Sequence, residues 1–527
     1  MALDGGEARA LTDEKHHIDR FAWAPDGRHL ACVGSEPKSE ADEKRDKDKD
    51  DPRVVDRDDR PARLWLADAV SGELRRLVGA PWAIEDAQWL PGSRELVVAA
   101  TDHPEVERPT GRVFRISVDD GAMRQVAAPR GPFGQLRVAP DGASVAFVGS
   151  RVDGPVPHDL YVQPLDGSPA KNLTAAGVDR SIADYAWRKD GTLFVLAEDG
   201  FRAGFWTLAS DGRVAGHTSP GMAVRDMALS PSGDVWFIGG NSNKPAELWQ
   251  LTDGTTPEVR STINASLAGA PLIAETFVHY QSEGRTIEAG VLVPATPAAG
   301  PRPTVVLVHG GPTGAWDDEF EPWGQLLASA GYVVFYPNIR GSDGYGFEFL
   351  ASNRADWGGG DYRDLMAGVD DLVARHVADA ARLGIGGWSY GGYMASWAIT
   401  QTTRFKAAIT GAGMSDLATE FGTERDPAYD EWFWGLPYER PEGFRKGSPL
   451  TYVSHARTPT LILQGEADVV DPMGQSQALY RALKHYGVET ELVLYPREGH
   501  GLREERHLLD RLRRVVAWYD AHLQPAP

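Results

Sequence analysis

The stretch Arg382–Ile399, RLGIGGWSYGGYMASWAI, decides how the C-terminal half of this chain folds. It begins as a short strand-prone run, turns at Gly387-Trp388-Ser389-Tyr390-Gly391, and continues in a helical pattern. Glycines two residues either side of a serine, between a strand and a helix, let the backbone turn sharply and the neighbouring elements approach closely. Ser389 is then held at the head of a helix with its hydroxyl exposed, as a candidate nucleophile. A serine in a Gly-rich turn is otherwise a helix cap. The strand before and the helix after favour the elbow.

Working outward, further short apolar runs alternate with helical connections. They are Pro303–Val308 (PTVVLV), Tyr332–Tyr336 (YVVFY), Thr460–Leu463 (TLIL) and Glu491–Tyr495 (ELVLY). Near-continuous apolar strands with long helical crossovers imply a buried, mostly parallel sheet. The more alternating Glu275–Pro294 reads as an antiparallel hairpin leading into it.

A serine hydroxyl needs an adjacent base, itself oriented by a third group. Downstream of Ser389, the run after Thr460 ends in Gln464-Gly465-Glu466-Ala467-Asp468, and the last strand ends in Arg497-Glu498-Gly499-His500-Gly501. Both loops follow strand C-termini, where α/β sheets place their sites. His500 is the expected base. Asp468 is the preferred acid; Glu466 and Asp471 are the alternatives, Asp471 reading rather as a turn cap before Pro472. An oxyanion needs preorganised donors. Tyr390 N–H follows the nucleophile, and His309-Gly310-Gly311-Pro312 follows the strand Pro303–Val308. Gly311 N–H is assigned as the second donor, with Gly310 as the alternative.

The first half repeats itself. Hairpin-like units recur at Phe21 (FAWAPDGRHLACVG), Ala87, Leu136, Tyr185 and Met227, each with a tight turn of Pro, Asp, Ser or Gly. Their turn positions, Gly27, Ser93, Gly142, Gly191 and Gly233, are spaced 66, 49, 49 and 42 residues apart. Four strands per repeat at this period indicate about five detectable blades of a β-propeller; similar hairpins in a β-sandwich are the alternative. The first interval is lengthened by Ser35–Arg60, which mixes both charge signs with almost nothing apolar and reads as a mobile, solvated insert. The expected division is a propeller over residues 1–264 and an α/β domain over 265–527.

Composition narrows the function classes. With Lys+Arg 54 against Asp+Glu 75, the formal charge of -21 opposes binding to nucleic acid or anionic membrane. A single cysteine, Cys32, excludes an intramolecular disulfide and a thiolate metal cluster. The polar, acidic N-terminal stretch lacks the form of a secretory signal, and no run approaches the ~20 apolar residues of a membrane helix. A cytoplasmic location is the expectation. No metal-spaced cluster or phosphate loop appears, so no cofactor is implied.

Taken together, the motifs resemble the prolyl oligopeptidase family of serine peptidases, nearest its acylaminoacyl-peptidase-like branch. The matching pieces are HGGP at His309, NIRGSDGYG at Asn338, DWGGGDYRDLMAGVD at Asp356, GWSYGGYMASW at Gly387, QGEADVVDPMGQS at Gln464 and YPREGHG at Tyr495. The resemblance implies an α/β-hydrolase domain paired with a β-propeller that caps the active site. It implies Ser389, Asp468 and His500 as the triad, with Gly311 and Tyr390 as oxyanion donors. Two departures stand out. Gln464 occupies the family's histidine position and Asp471 a position where an apolar residue is expected. The family's propeller normally has seven blades, not five.

The function expected is hydrolysis of short peptides or acylated aminoacyl substrates through an acyl-enzyme. An esterase or aryl-amidase acting on non-peptide substrates is the alternative within enzymes; a propeller-based binding protein with a vestigial hydrolase domain is the alternative outside them. Arg340, in NIRGSDGYG, is a candidate for a substrate carbonyl or carboxylate, with a structural ion pair as the competing reading. The aromatic and acidic segment from Gly422, GTERDPAYDEWFWGLPYE, reads either as a pocket wall or as packing. The family resemblance also allows a homo-oligomer.

Overall fold

The computed structural model describes residues 10–12, 16–105, 109–151, 154–252 and 256–524. Most of the N-terminal stretch read above, and residues 253–255 of the last repeat, lie outside them. Five four-stranded antiparallel sheets occupy the first half, and one eight-stranded sheet the second. The five expected turn positions all take positive φ, from 55° at Ser93 to 98° at Gly233. Each donates its N–H to the carbonyl three residues back, as Gly27 does to Ala24 and Gly142 to Ala139, both at 2.9 Å. The repeat is therefore a repeat of turn geometry. Its fourth member also has the outer strand pair that the sequence reading did not isolate, Arg202–Leu208 and Val214–Thr218.

The chain divides into two compact units: residues 1–178, 185–194 and 207–215, and residues 179–184, 195–206 and 216–527. In the first unit the sheets are joined by a recurring bond. Trp89 Nε1 donates to Ala22 O at 2.9 Å, and Trp187 Nε1 to Arg137 O at 3.0 Å. Ala22 and Arg137 hold equivalent places in their repeats, so each tryptophan fastens its hairpin to the repeat before. Apolar residues fill the space between successive sheets, with Leu64, Leu96 and Ile116 fully buried between the first two.

The insert over residues 35–60 is not simply a loop. Glu40–Asp48 is a helix with no buried residue, capped by Ser39, whose Oγ accepts from Asp42 N at 3.1 Å. Three acidic residues in its first turn and Arg45 and Lys47 in its last favour its dipole. Charge density, which made the segment look unstructured, here supplies the dipole partners, and Ser39 the cap.

The second unit contains the eight-stranded sheet. We label its strands β1 (Thr276–Ser282), β2 (Arg285–Leu292), β3 (Arg302–Val308), β4 (Val333–Pro337), β5 (Ala378–Trp388), β6 (Phe405–Gly411), β7 (Thr460–Gly465) and β8 (Thr490–Tyr495). Their spatial order is β1-β2-β4-β3-β5-β6-β7-β8. β1 and β2 form the expected antiparallel hairpin, β2 pairs antiparallel with β4, and every later pairing is parallel. β6 was not singled out in the sequence; it follows a helix after only Thr402, Thr403 and Arg404, without glycine or proline to mark its start. Helices cover both faces. Leu365, Val369 and Leu372 of α1 (Gly360–Ala374) and Tyr393–Ile399 of α2 (Tyr390–Gln401) pack on one. Val515, Trp518 and Tyr519 of the C-terminal helix Glu505–Leu523 pack on the other. Among the described residues, no helix is long and apolar enough to cross a membrane.

Because the Glu40–Asp48 helix buries nothing, replacing it by a Gly/Ser linker of equal length is expected to change stability by less than about 0.5 kcal/mol. A thermal melt of the variant checks this; a substantial fall in Tm would show that the insert supports the fold.

Candidate active site

Register brings the site together. Val308 at the end of β3 pairs with Gly387 in β5, and Trp388 pairs with Gly411 at the end of β6. The loop after β3 therefore runs beside the turn after β5. A Cβ built on Gly310 would lie 3.5 Å from Ser389 Cβ and 3.9 Å from its Oγ.

The turn after β5 is strained. Ser389 sits at φ 61° and ψ -125°, a region non-glycine residues seldom enter. Its N–H donates to Gly411 O and its carbonyl accepts from Tyr393 N, both at 2.9 Å, fixing the turn at both ends. The close approach requires glycine next door: a Cβ on Gly391 would lie 2.1 Å from Val308 O. Tyr390, the residue after the serine, is fully buried and its hydroxyl donates to Asp361 of α1. Burial pushes the Asp361 carboxyl up to about 7 despite that bond. Asp361 is a support that the sequence contained within DWGGGDYRDLMAGVD without revealing its role.

Asp468 and His500 meet. His500 Nδ1 lies 3.0 Å from Asp468 Oδ2. The same oxygen accepts from Gln464 Nε2 at 3.0 Å, while Oδ1 accepts from the N–H groups of Val470 and Asp471 at 2.9 and 3.0 Å. Asp468 thus has four hydrogen-bonding partners, and it is this acid, not Asp471 or Glu466, that carries the imidazole contact. Gln464 is held in turn by Ser476, whose hydroxyl donates to its Oε1 at 2.6 Å. The departure from the family's histidine leaves the acid oriented. Trp388, beside the serine, donates from Nε1 to His500 O at 2.7 Å and ties the histidine loop to the turn.

Burial disfavours a charged His500, but the hydrogen bond to Asp468 and the charges of Asp471 and Asp468 outweigh it, and the imidazole titrates above its ordinary range. The loop is braced from behind. Buried Glu498 accepts from Arg503 N and Glu504 N at 2.8 and 2.9 Å and contacts His507 Nδ1 at 2.7 Å. Glu498, Glu504 and His507 could hold a metal ion by their spacing, with one ligand atom each within 4.8 Å of the others. Their ion pairs and backbone donors give them a bracing role already.

The loop after β3 is pinned by His309, whose Nε2 lies 2.7 Å from Ser342 Oγ and whose Nδ1 lies 2.8 Å from Gly310 O. Burial lowers its pKa to about 4, so it is neutral. Gly311 takes φ 116°, open only to glycine. Arg340 takes the ion-pair form of its two readings. Its Nε and Nη2 donate to Asp364 at 2.8 and 2.6 Å, and Nη2 also to Glu283 at 2.9 Å. The side chain is an internal ion pair locking the β4 loop to α1, with 8% of its surface exposed. The segment from Gly422 divides between its two readings. Trp432, Phe433 and Trp434 of α3 (Pro427–Trp434) are buried, with Phe433 and Trp434 packed around Trp357. Tyr429, by contrast, reaches Thr313 Oγ1 at 3.0 Å, beside the loop after β3.

A serine on a strained strand–turn–helix, a histidine–aspartate pair and a glycine loop at the carboxyl ends of adjacent strands define the α/β class of serine hydrolases. Residues 319–526 match the prolyl oligopeptidase family, and residues 8–237 match the lipoprotein LpqB β-propeller domain. A Bacillus subtilis relative, the uncharacterised peptidase YuxL, is 30% identical over 629 residues, covering 98% of this chain and 92% of the relative. The protein belongs to the prolyl oligopeptidase family and is a serine hydrolase with an N-terminal β-propeller and a C-terminal α/β-hydrolase domain. Among solved structures, an acylaminoacyl peptidase in complex with Z-Gly-Gly-Phe-chloromethyl ketone superposes with TM-score 0.85 at 22% identity, covering 100% of this chain and 84% of that one. A puromycin-hydrolysing peptidase of Mycobacterium tuberculosis superposes with TM-score 0.76 at 25% identity, covering 98% and 80%.

The close approach of Gly391 to Val308 makes one substitution decisive. Gly391→Ala is expected to abolish activity and lower Tm, since its Cβ meets backbone and not a movable side chain. A variant with wild-type melting and turnover would contradict the packing described for this turn.

Proposed function

We propose that Ser389 attacks the substrate carbonyl, His500 takes the serine proton and returns it to the leaving amine, and Asp468 fixes the imidazole tautomer. The N–H groups of Gly311 and Tyr390 are the proposed donors to the oxyanion, which would form above the turn between the ends of β3 and β5. The observation that carries this reading is the contact between His500 Nδ1 and Asp468 Oδ2, which leaves Nε2 free for the serine proton. The substrates proposed are short peptides or acylated aminoacyl compounds. This rests on the family, on similarity to known peptidases, and on the strained Ser389 turn with the His500–Asp468 contact and the glycine loop after β3. The domain boundary proposed is 264/265; the last small sheet ends at Val259 and β1 begins at Thr276. A cytoplasmic location is likewise proposed, from the single cysteine and acidic composition.

In this mechanism a neutral His500 is the active form. Since its pKa is raised, kcat/KM is expected to rise with pH along a limb centred above ~6.5, the ordinary imidazole value. Removing the Asp471 charge removes one cause of the shift, so Asp471→Asn is expected to move that limb to lower pH. A pH–rate profile of both proteins checks the sign. Asp468→Asn is expected to lower kcat by roughly 10³–10⁴-fold with little change in fold. Retention of most of the activity would assign the acid role elsewhere. Comparing kcat/KM on aminoacyl anilides and p-nitrophenyl esters tests the substrate class; activity confined to the esters would overturn the peptidase reading.

A further inference from the structure

Four carboxylic side chains with no cation among them lie behind the reactive serine. Glu420 comes from the short helix Leu417–Phe421, Glu424 from the loop after it, Asp430 from α3, and Asp471 from the loop after β7. Asp471 approaches the Ser389 side chain and acts electrostatically on His500. Glu420 faces Asp471, and Glu424 faces Asp430, carboxyl to carboxyl. Glu420, Asp430 and Asp471 are only 1%, 3% and 4% exposed. Both oxygens of Glu420, Oδ2 of Asp430, Oδ2 of Asp471 and Oε1 of Glu424 are buried without a hydrogen-bond partner. Among the described residues none of the four forms an ion pair.

This is a costly arrangement. Buried oxygens that accept from no donor are destabilising, and ionised carboxylates this close repel one another. Burial raises the pKa of all four, and their mutual repulsion raises those of Glu420 and Glu424 further. A protein gains nothing in packing from such a group; apolar side chains would fill the same space at lower cost. At Asp471 an apolar residue is what the family pattern has. What these five oxygens lack is a positive charge carrying several N–H donors. The peptide being cleaved can bring one close to the scissile carbonyl.

We propose that this acidic cluster receives a cationic group of the substrate, an ammonium or guanidinium borne by the residue that supplies the scissile carbonyl. The inference rests on Ser389 being the nucleophile, since it is the contact of Asp471 with that serine that places the cluster at the reacting bond. Two substrate positions present this chemistry: a free α-amino group, or a lysine or arginine side chain. The cation would enter where Asp471 meets Ser389 and donate to the carboxylate oxygens that accept from no N–H group, any proton held between paired carboxyls leaving to solvent.

The test uses the full chain and four anilides: leucyl with a free amine, acetyl-leucyl, acetyl-lysyl and acetyl-norleucyl. At pH 7, where the α-amino group and the lysine are both largely protonated, one cation-bearing member of a pair is expected to show kcat/KM at least about tenfold above its neutral partner. The leucyl pair responds if the α-amino group is the source, and the lysyl–norleucyl pair if the side chain is. The ratio within the responding pair is expected to fall toward one in Asp471→Val and in Glu424→Gln, the second at a partly exposed position and nearly isosteric. Neutral substrates preferred in both pairs, or a preference for charge that survives both substitutions, would overturn the proposal. Hydrolysis that persists at the wild-type rate in Ser389→Ala would instead overturn the nucleophile reading beneath it.

Discussion

The site depends on how closely three strand ends can approach. β3, β5 and β6 lie side by side in parallel, with Val308 opposite Gly387 and Trp388 opposite Gly411. That register leaves no room for side chains at Gly387 or Gly391, where a Cβ would come within 2.5 or 2.1 Å of Val308 O. The chain can leave β5 and enter α2 only by the backbone conformation seen at Ser389, which costs of order 1–3 kcal/mol locally and is held by the strands around it. The glycine loop after β3 and the histidine loop after β8 reach the same place because parallel strands all end on the same edge.

Electrostatics then sort the carboxylates of the site into two kinds. Asp468 is surrounded by donors that hold it against the imidazole. Asp471, three residues later in the same loop, has an orphaned oxygen and shares its surroundings with Glu420. The two acids differ because the turn after β7 points backbone N–H groups at the first and none at the second. Gln464 supports this division, since a neutral amide can donate to Asp468 while accepting from Ser476, without adding a charge to an already acidic neighbourhood.

Much of this was legible in the sequence where local geometry dictates residue type. The repeat turns need φ above zero, so glycine marks four of five and the spacing can be read directly. Ser389, Asp468 and His500 each stand in a short motif after a recognisable strand. What was not legible depends on partners far along the chain. The two readings of Arg340 stayed open because Asp364 and Glu283, its ion-pair partners, lie 24 and 57 residues away. The Glu420–Asp471 contact joins segments about fifty residues apart, and neither segment alone signals a shared site. The helix Glu40–Asp48 escaped because it has no apolar face, the very signal by which helices are read.

The central claim is that Ser389 is the nucleophile of a triad built on this register. The most direct measurement is to react the native protein with a fluorophosphonate and map the adduct by peptide mass spectrometry. A single adduct on Ser389, lost when the protein is unfolded before reaction, is the predicted result. An adduct on a different serine, or none on native protein, would contradict it.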